Sequence, residues 1–600
     1  MTTNKLVDFL ATYGPTPAGQ SMYDEHVLQG ADHFGVEPLS VDSGRIGDVL
    51  QALSGPEPRS VILTGTAGDG KTWHCRKAFV RLGGTETAWR KSGCRIDMNL
   101  GSGRRLTIIK DLSQYADTTA EEEIIGQLVD SVYGRTDAVY LIAANDGRLL
   151  RALRHYAEAK PDGRQFEETI RTMLKGDLST ASGLRLDMWN LSRQPHDQTF
   201  EGLVQAVTEH DGWAGCGKCG NNADCPILRN REILRMSGPT GIKARLRDII
   251  RIAADNDMHL PIRQVLLLVV NTLLGVTGRR SPLMTCKDAH DLANDGKLSS
   301  ANPYDNVFGM NLGTDSRTYR AFGVLAGFGI GRETNNFVDG ILIDQEPKKE
   351  FEAFVKGDAL FGADVFEDVR KQYRRGEGIE YDEFREALER QRRRLFFKLP
   401  TTEHPEQNEL DPWRLTIFMY AGEYLTFANG LREGISDPQI RNRLAVGLNR
   451  SYTGLMCDEG TLLWLAAPAA NAQSRIGQVL DTRISVGKNR MMTVHFDFDA
   501  KGPHQSLRMV VLEGSEVVEY HPLQPMLFEY LLRVKAGSLP GSFSRQCFEE
   551  LRQFRLRVVA ALARRDLIDA EGVNGISIVS LSSEGRLHAD EIVLRARSGS

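Results

Sequence analysis

Residues 65–72 read Gly-Thr-Ala-Gly-Asp-Gly-Lys-Thr and fit G-x-x-x-x-G-K-[ST] at every position. The residue types state the chemistry. Gly65, Gly68 and Gly70 permit a tight turn and a close backbone approach. The amides of Thr66, Ala67 and Asp69 can then face phosphate oxygens at the positive end of a following helix, which opens through Trp73. Lys71 is expected to meet the β- and γ-phosphates, and the Thr72 hydroxyl to take one Mg²⁺ position. The expected ligand of residues 65–73 is ATP with Mg²⁺.

A bound Mg²⁺ needs a second anchor, a carboxylate at the tip of a neighbouring strand. Asp111, ending the run LTIIKD, is the candidate. Many nucleotide hydrolases follow this aspartate with an acid that polarises the attacking water; here Leu112 follows. The next apolar run ends in AAND and brings Asn145 and Asp146 to the same sheet edge. A polar side chain there can orient water or sense the γ-phosphate. Asp146 is the second candidate for the metal carboxylate.

A separate chemistry is written in CGKCGNNADC, where Cys216, Cys219 and Cys225 stand at C-x₂-C-x₅-C. Two thiolates at C-x₂-C turn onto one tetrahedral ion, and Gly217 and Gly220 ease the knuckle. A structural Zn²⁺ wants a fourth ligand, and His210 and Cys286 are the candidates, Cys286 giving an all-thiolate set. Four protein ligands leave no open position, so the expected role is to staple a loop. An Fe–S cluster is the weaker alternative. Two basic stretches follow: Arg229, Arg231, Arg235, Lys243, Arg245, Arg247 and Arg251, then Arg392, Arg393 and Arg394 beside Phe396, Phe397 and Lys398. Such groups either bind phosphate backbones or form solvated helix faces.

The elements that must position these residues alternate. Buried strands are expected at 61–65, 105–113, 138–147 and 183–192, with helices such as 120–134 and 147–159 between them. That order predicts an α/β fold with a parallel sheet covered on both faces. Beyond 195 the pattern is helical, periodic from Lys243 to about Leu274 and densely charged at 345–400. It turns to β near 480, with RISVG, MMTVHFDFDA and SLRMVVLEG, and then to a helix at 546–566. The divisions expected are 1–58, a helical segment broken by GPTPAG at 14–19; 59–195, the nucleotide-binding core; 196–290, a helical lid with the cysteine loop; 291–475, mainly helical; and 476–600, a C-terminal α+β region.

The chain has 600 residues and a formal net charge of -5, so any nucleic-acid contact must come from a local patch. No secretory signal is read at the N-terminus. The longest apolar run, Leu266 to Val276, falls short of the roughly 20 residues that span a bilayer. It is read as a buried helix, with no membrane contact. Eight cysteines without a signal fit a reduced, cytoplasmic setting better than a disulfide framework.

The glycine loop, the acidic strand end and the polar strand end, in this order over about 40–275, resemble the AAA+/STAND group of P-loop ATPases. That resemblance implies that Asn145 is a sensor 1 residue, that Arg263 in HLPIRQV is a candidate sensor 2 arginine, and that chains assemble so that a neighbour's arginine completes the site. Arg332, in GIGRETNNF, is a further candidate for completing it. More narrowly, ILTGTAGDGKT, IIKDLS, LIAANDGRL, the CxxC…CPI segment (216–227) and GLNRSYTG (447–454) resemble the DptF-type ATPases of phosphorothioation-dependent DNA restriction and related bacterial anti-phage systems. Membership would imply an ATPase that works as motor or switch with partner proteins directed at DNA. The chain carries no recognisable nuclease motif, so cutting would fall to a partner. The alternative is a STAND-like signalling ATPase that hydrolyses slowly and recruits an effector.

Overall fold

The computed structural model describes residues 3–15, 24–41, 45–193, 196–220, 222–313, 317, 319–343, 360–401, 409–467, 478–487, 492–499, 506–565 and 575–593. Residues 16–19 of the expected GPTPAG turn, 345–359 of the charged stretch, and 491 and 500 of the MMTVHFDFDA run lie outside the described residues. Two compact units divide the chain: residues 1–401 with 409–417, and residues 402–408 with 418–600.

The first unit holds a five-stranded sheet of β1 (Ser60–Thr64), β2 (Arg95–Asn99), β3 (Arg105–Ile109), β4 (Val139–Ala143) and β5 (Leu186–Asn190), in the order β2-β3-β4-β1-β5. All pairings are parallel except β2 on β3. Both faces are covered, which is why the central strands read as continuous apolar runs. Val61, Leu63, Ile108 and Leu141 pack on one face with Ala78 and Phe79 of helix Lys71–Arg81. Ile62, Ile109 and Ile142 pack on the other with helices Thr119–Val132 and Asp146–Ala159. The expected strands all form with five residues each, the first starting one residue earlier and the other three shortened. The antiparallel edge strand β2 was not expected; its RIDMN is half-exposed, with Ile96 and Met98 packed against the core and Asp97 accepting from Thr107 Oγ1 (2.6 Å).

β1 and β4 are neighbours, yet the helices that follow them leave on opposite faces. A crevice therefore opens between the C-terminal ends of these strands, the place where open α/β sheets bind ligands. Beyond the sheet, the expected helical run from Lys243 divides into Ile242–Asp255 and Ile262–Leu274, broken at Pro261. The second is buried from Val265 onward, and its Asn271 donates to Asn306 O (2.6 Å). Among the described residues no helix is long and apolar enough to cross a membrane.

The second unit holds a seven-stranded sheet of β6 (Leu462–Ala467), β7 (Gln478–Val486), β8 (Met492–Phe498), β9 (Leu507–Glu513), β10 (Glu516–Pro522), β11 (Gly575–Leu581) and β12 (Leu587–Val593). Its order is β10-β9-β8-β7-β11-β12, with β6 also on β7, and only β7–β8 is parallel. This unit begins near residue 418 rather than 476. Helices Ala421–Arg432 and Pro438–Thr453 therefore belong with the C-terminal sheet.

Candidate functional site

Three glycines of the loop after β1 take left-handed φ values: +131° at Gly65, +94° at Gly68 and +82° at Gly70. The crowding explains the choice. A Cβ at Gly65 would lie 3.0 Å from both Asp69 Oδ2 and Ser192 Oγ, and one at Gly68 would lie 3.1 Å from Arg263 Cβ. Gly70 then N-caps helix Lys71–Arg81. Lys71 Nζ donates to the carbonyls of Gly65 (3.0 Å) and Thr66 (2.7 Å). Burial lowers its ammonium below the ordinary lysine value, and Asp69, Asp111 and Asp146 partly restore it.

The loop is braced from three directions. Asp69 is 1% exposed. Its Oδ2 accepts from Thr66 N (2.7 Å), Thr66 Oγ1 (2.9 Å) and Ser192 Oγ (2.6 Å), and its Oδ1 faces His259 Nε2 at 2.8 Å. Burial pushes this carboxyl up, but the bond and charge of His259, with the bonds from Ser192 and Thr66, outweigh burial and hold it below its ordinary value. Asp146 accepts from Gly65 N (2.9 Å) and from Asn190 Nδ2 (3.0 Å), while Asn190 Oδ1 takes Ser192 N (3.0 Å). Arg263 N donates to Gly68 O at 3.2 Å. Both oxygens of Asp146 are thus engaged in bracing the loop.

The cavity beside this loop, about 240 Å³, has two characters. Its lining combines Lys71, Thr72, Trp73, Asp111, Asn145 and Arg263 with the apolar or aromatic side chains of Tyr13, Leu39, Val41, Leu203, Ile262 and Leu266. Asp111 Oδ1 accepts from Ser113 N (2.9 Å) and Ser113 Oγ (2.7 Å), and Oδ2 has no hydrogen bond among the described residues. Asn145 N-caps helix Asp146–Ala159 without spending its side chain on the cap. Leu112, where an acid would polarise water, is fully buried. Arg332 lies elsewhere in this unit, on a cavity with Arg317, Tyr381 and Arg385.

Asn190, Ser192 and His259 are functional neighbours that the sequence reading passed over. The signal was the polar end of the fourth strand run, WNLS, at the same sheet edge as Asp111 and Asn145. No comparable signal marks Tyr13, Leu39 or Val41.

The cysteines form a second site. Cys216, Cys219, Cys225 and Cys286 line one cavity with Asn4 and His210, and none is in a disulfide. Burial pushes the thiols of Cys225 and Cys286 up, and the neighbouring thiols add to it. As placed, no three His, Cys, Asp or Glu side chains among the described residues converge into a metal-binding group.

Of the basic stretches, Arg392–Arg394 is interior, while in the first stretch only Arg245 is buried and Arg229 and Arg235 are exposed. Arg392 and Arg393 are buried and paired with Asp339 (2.7 Å) and Asp305 (2.8 Å), and Arg394 is 2% exposed. Arg245 is buried on the carbonyls of Phe396 and Leu399. Arg231 bonds Thr208 O, and Arg247 pairs with Glu201. In GLNRSYTG, Asn449 and Arg450 bond backbone carbonyls of their own unit, so that segment is structural. Compared with known proteins, the chain matches no family model, no curated protein and no solved structure.

Proposed function

We propose that this chain is an ATP-binding and ATP-hydrolysing subunit of a bacterial DNA restriction or anti-phage complex, with the P-loop ATPase architecture that its sequence resembles. The cavity after β1 carries the reading. It is lined by a lysine, a hydroxyl and a helix N-terminus together with a set of apolar side chains, a mixture that suits a polyphosphate joined to a flat base. Lys71 binds the phosphates with the loop amides other than those of Gly65 and Thr66, which Asp146 and Asp69 already hold. Thr72 Oγ1 and the open Oδ2 of Asp111 are hard oxygen donors on one cavity and suit Mg²⁺, which would neutralise charge on the phosphates. Asn145 is available to orient water. Arg263, at the loop itself, reports its position to the helical segment.

With Leu112 beside Asp111, the isolated site lacks an evident group to activate water. Weak basal turnover follows, rising when chains assemble or when DNA and partner proteins are present. An arginine supplied by a neighbour is worth about 10³–10⁵ in rate. Turnover per chain, measured against protein concentration with and without DNA, tests this; a fast rate flat across all conditions refutes the gating.

The burial and pairing of Arg245 and Arg392–Arg394 favours a second reading, a STAND-like switch that hydrolyses slowly and recruits an effector. In that case assembly stimulates turnover and DNA alone does not.

A further inference from the structure

Cys216, Cys219 and Cys225 share their cavity with Cys286, which arrives from a segment some sixty residues further on. Cys225 is the N-cap of helix Pro226–Arg235, and Cys286 is the first residue of helix Cys286–Asn294. Both sulfurs thus stand at helix starts, beside one another on the same cavity. Asn4 adds two donors: its backbone N–H to Cys286 Sγ (3.3 Å) and its Nδ2–H to Cys216 Sγ (3.1 Å). Donors onto sulfur are the outer contacts that orient metal-bound thiolates. His210 is excluded as a ligand, since Nδ1 accepts from Gly212 N (3.0 Å) and Nε2 therefore donates to Glu37 O (2.9 Å). The loop is unpacked at Gly217 and Gly220, where a Cβ would meet nothing within 4 Å.

The same contacts lead to the nucleotide cavity. Asn4 N-caps helix Lys5–Ala11, whose Phe9 packs edge-on against Tyr13 at 5.2 Å. Tyr13 lines the nucleotide cavity. His210 holds Glu37, and Leu39 and Val41, the next cavity-lining residues, follow directly. Three of the apolar lining residues are therefore tied back to the cysteine loop.

We propose that Cys216, Cys219, Cys225 and Cys286 bind a structural Zn²⁺, and that this metal knot fixes the apolar lining of the nucleotide cavity through two tethers, Asn4 to Tyr13 and His210 to Glu37. The second half rests on reading that cavity as a nucleotide site. Four thiolates fill the tetrahedron, so the ion holds structure and performs no chemistry. Its effect on nucleotide binding falls on the base and spares the phosphates, which the loop after β1 grips independently.

Elemental analysis of the full chain from metal-replete expression is expected to return about one Zn²⁺ per chain. No metal, or iron in its place, overturns the assignment. Calorimetry then compares ATP with inorganic tripolyphosphate before and after chelation. ATP affinity is expected to fall about tenfold, as for one lost aromatic contact, while tripolyphosphate affinity holds and added Zn²⁺ restores ATP. Equal loss for both ligands, or no loss, overturns the tethers. Where Cys219→Ser fails to fold, Asn4→Ala keeps the four thiols and still loosens that lining; it should retain zinc and weaken ATP alone. If the zinc-loaded protein binds neither ligand, the nucleotide reading fails and takes the tethers with it, while the zinc content still decides the first half.

Discussion

Both sheets are built from short strands, five residues each in the first and six to nine in the second. They organise polar groups differently. Four parallel strands of the first sheet release their loops at one edge, so residues 65–72, Asp111, Asn145 and Asn190–Ser192 meet although they are far apart in sequence. The second sheet is antiparallel at all but one pairing, and its loops alternate between ends. Its buried polar groups hold structure instead, as when Glu529 takes the backbone N–H of Met419 (3.1 Å) and Tyr420 (2.8 Å) and Arg533 Nε (2.6 Å). One carboxylate in each unit sharpens the contrast. Asp69 is held below its ordinary value by a web of donors, whereas burial pushes Glu529 up to about 7 against the same kind of help. Around Asp69 the donors outweigh burial and keep the charge; around Glu529 burial outweighs them.

The largest expected effect breaks the first region. Lys71→Ala removes the ammonium from the cavity. Charge-assisted bonds contribute about 1.5–3 kcal/mol, so ATP affinity should fall on the order of 100-fold. Titration with a fluorescent ATP analogue checks it, and unchanged affinity would remove the nucleotide assignment.

The second unit should respond to pH instead. The folded pKa of Glu529 is raised, so its contribution to stability is fully present below about 4.5 and is lost as pH rises through about 7. The difference amounts to about 3 kcal/mol. Glu529→Gln should flatten that slope between pH 5 and 8 in urea titrations, at the cost of one acceptor, because an amide NH₂ would face a backbone N–H. A slope that survives the substitution assigns the titration elsewhere.

How much of this was legible depended on distance along the chain. The loop at 65–72 is a contiguous motif, and the ends of β3 and β4 follow directly from apolar runs that stop at polar residues. The bracing of that loop was not legible, because Asp69 meets Ser192 and His259 across 123 and 190 residues. Arg392 and Arg393 read as a basic surface because their partners, Asp339 and Asp305, lie 53 and 88 residues away. Tyr13 continues the apolar period of Leu6, Phe9 and Leu10, whereas Leu39 and Val41 are single apolar residues, and only the folded chain shows that all three line one cavity. β10 escaped notice because EVVEYHP is largely exposed and β2 because RIDMN mixes charge with apolar residues.

The smallest effect tests whether the donor web around Asp69 is what separates the two regions. Asp69→Asn keeps the shape and removes the charge. The new amide must turn its NH₂ either toward His259 or toward Thr66 and Ser192, so at least one donor loses its acceptor. One unsatisfied buried group costs about 1–3 kcal/mol. At neutral pH the variant should be less stable by an amount near the lower end of that range, since His259 keeps some contact with water. The sign of the pH dependence is the stronger test. A carboxylate with a depressed folded pKa stabilises above its unfolded value and loses that contribution as pH falls through the folded value. Wild-type stability should therefore decline in acid below about pH 4, and Asp69→Asn should shed that part of the decline. Urea titrations of both proteins from pH 3 to 7 decide it. Parallel curves would mean that His259 and Ser192 do not hold Asp69 ionised, and the contrast with Glu529 would fall with them.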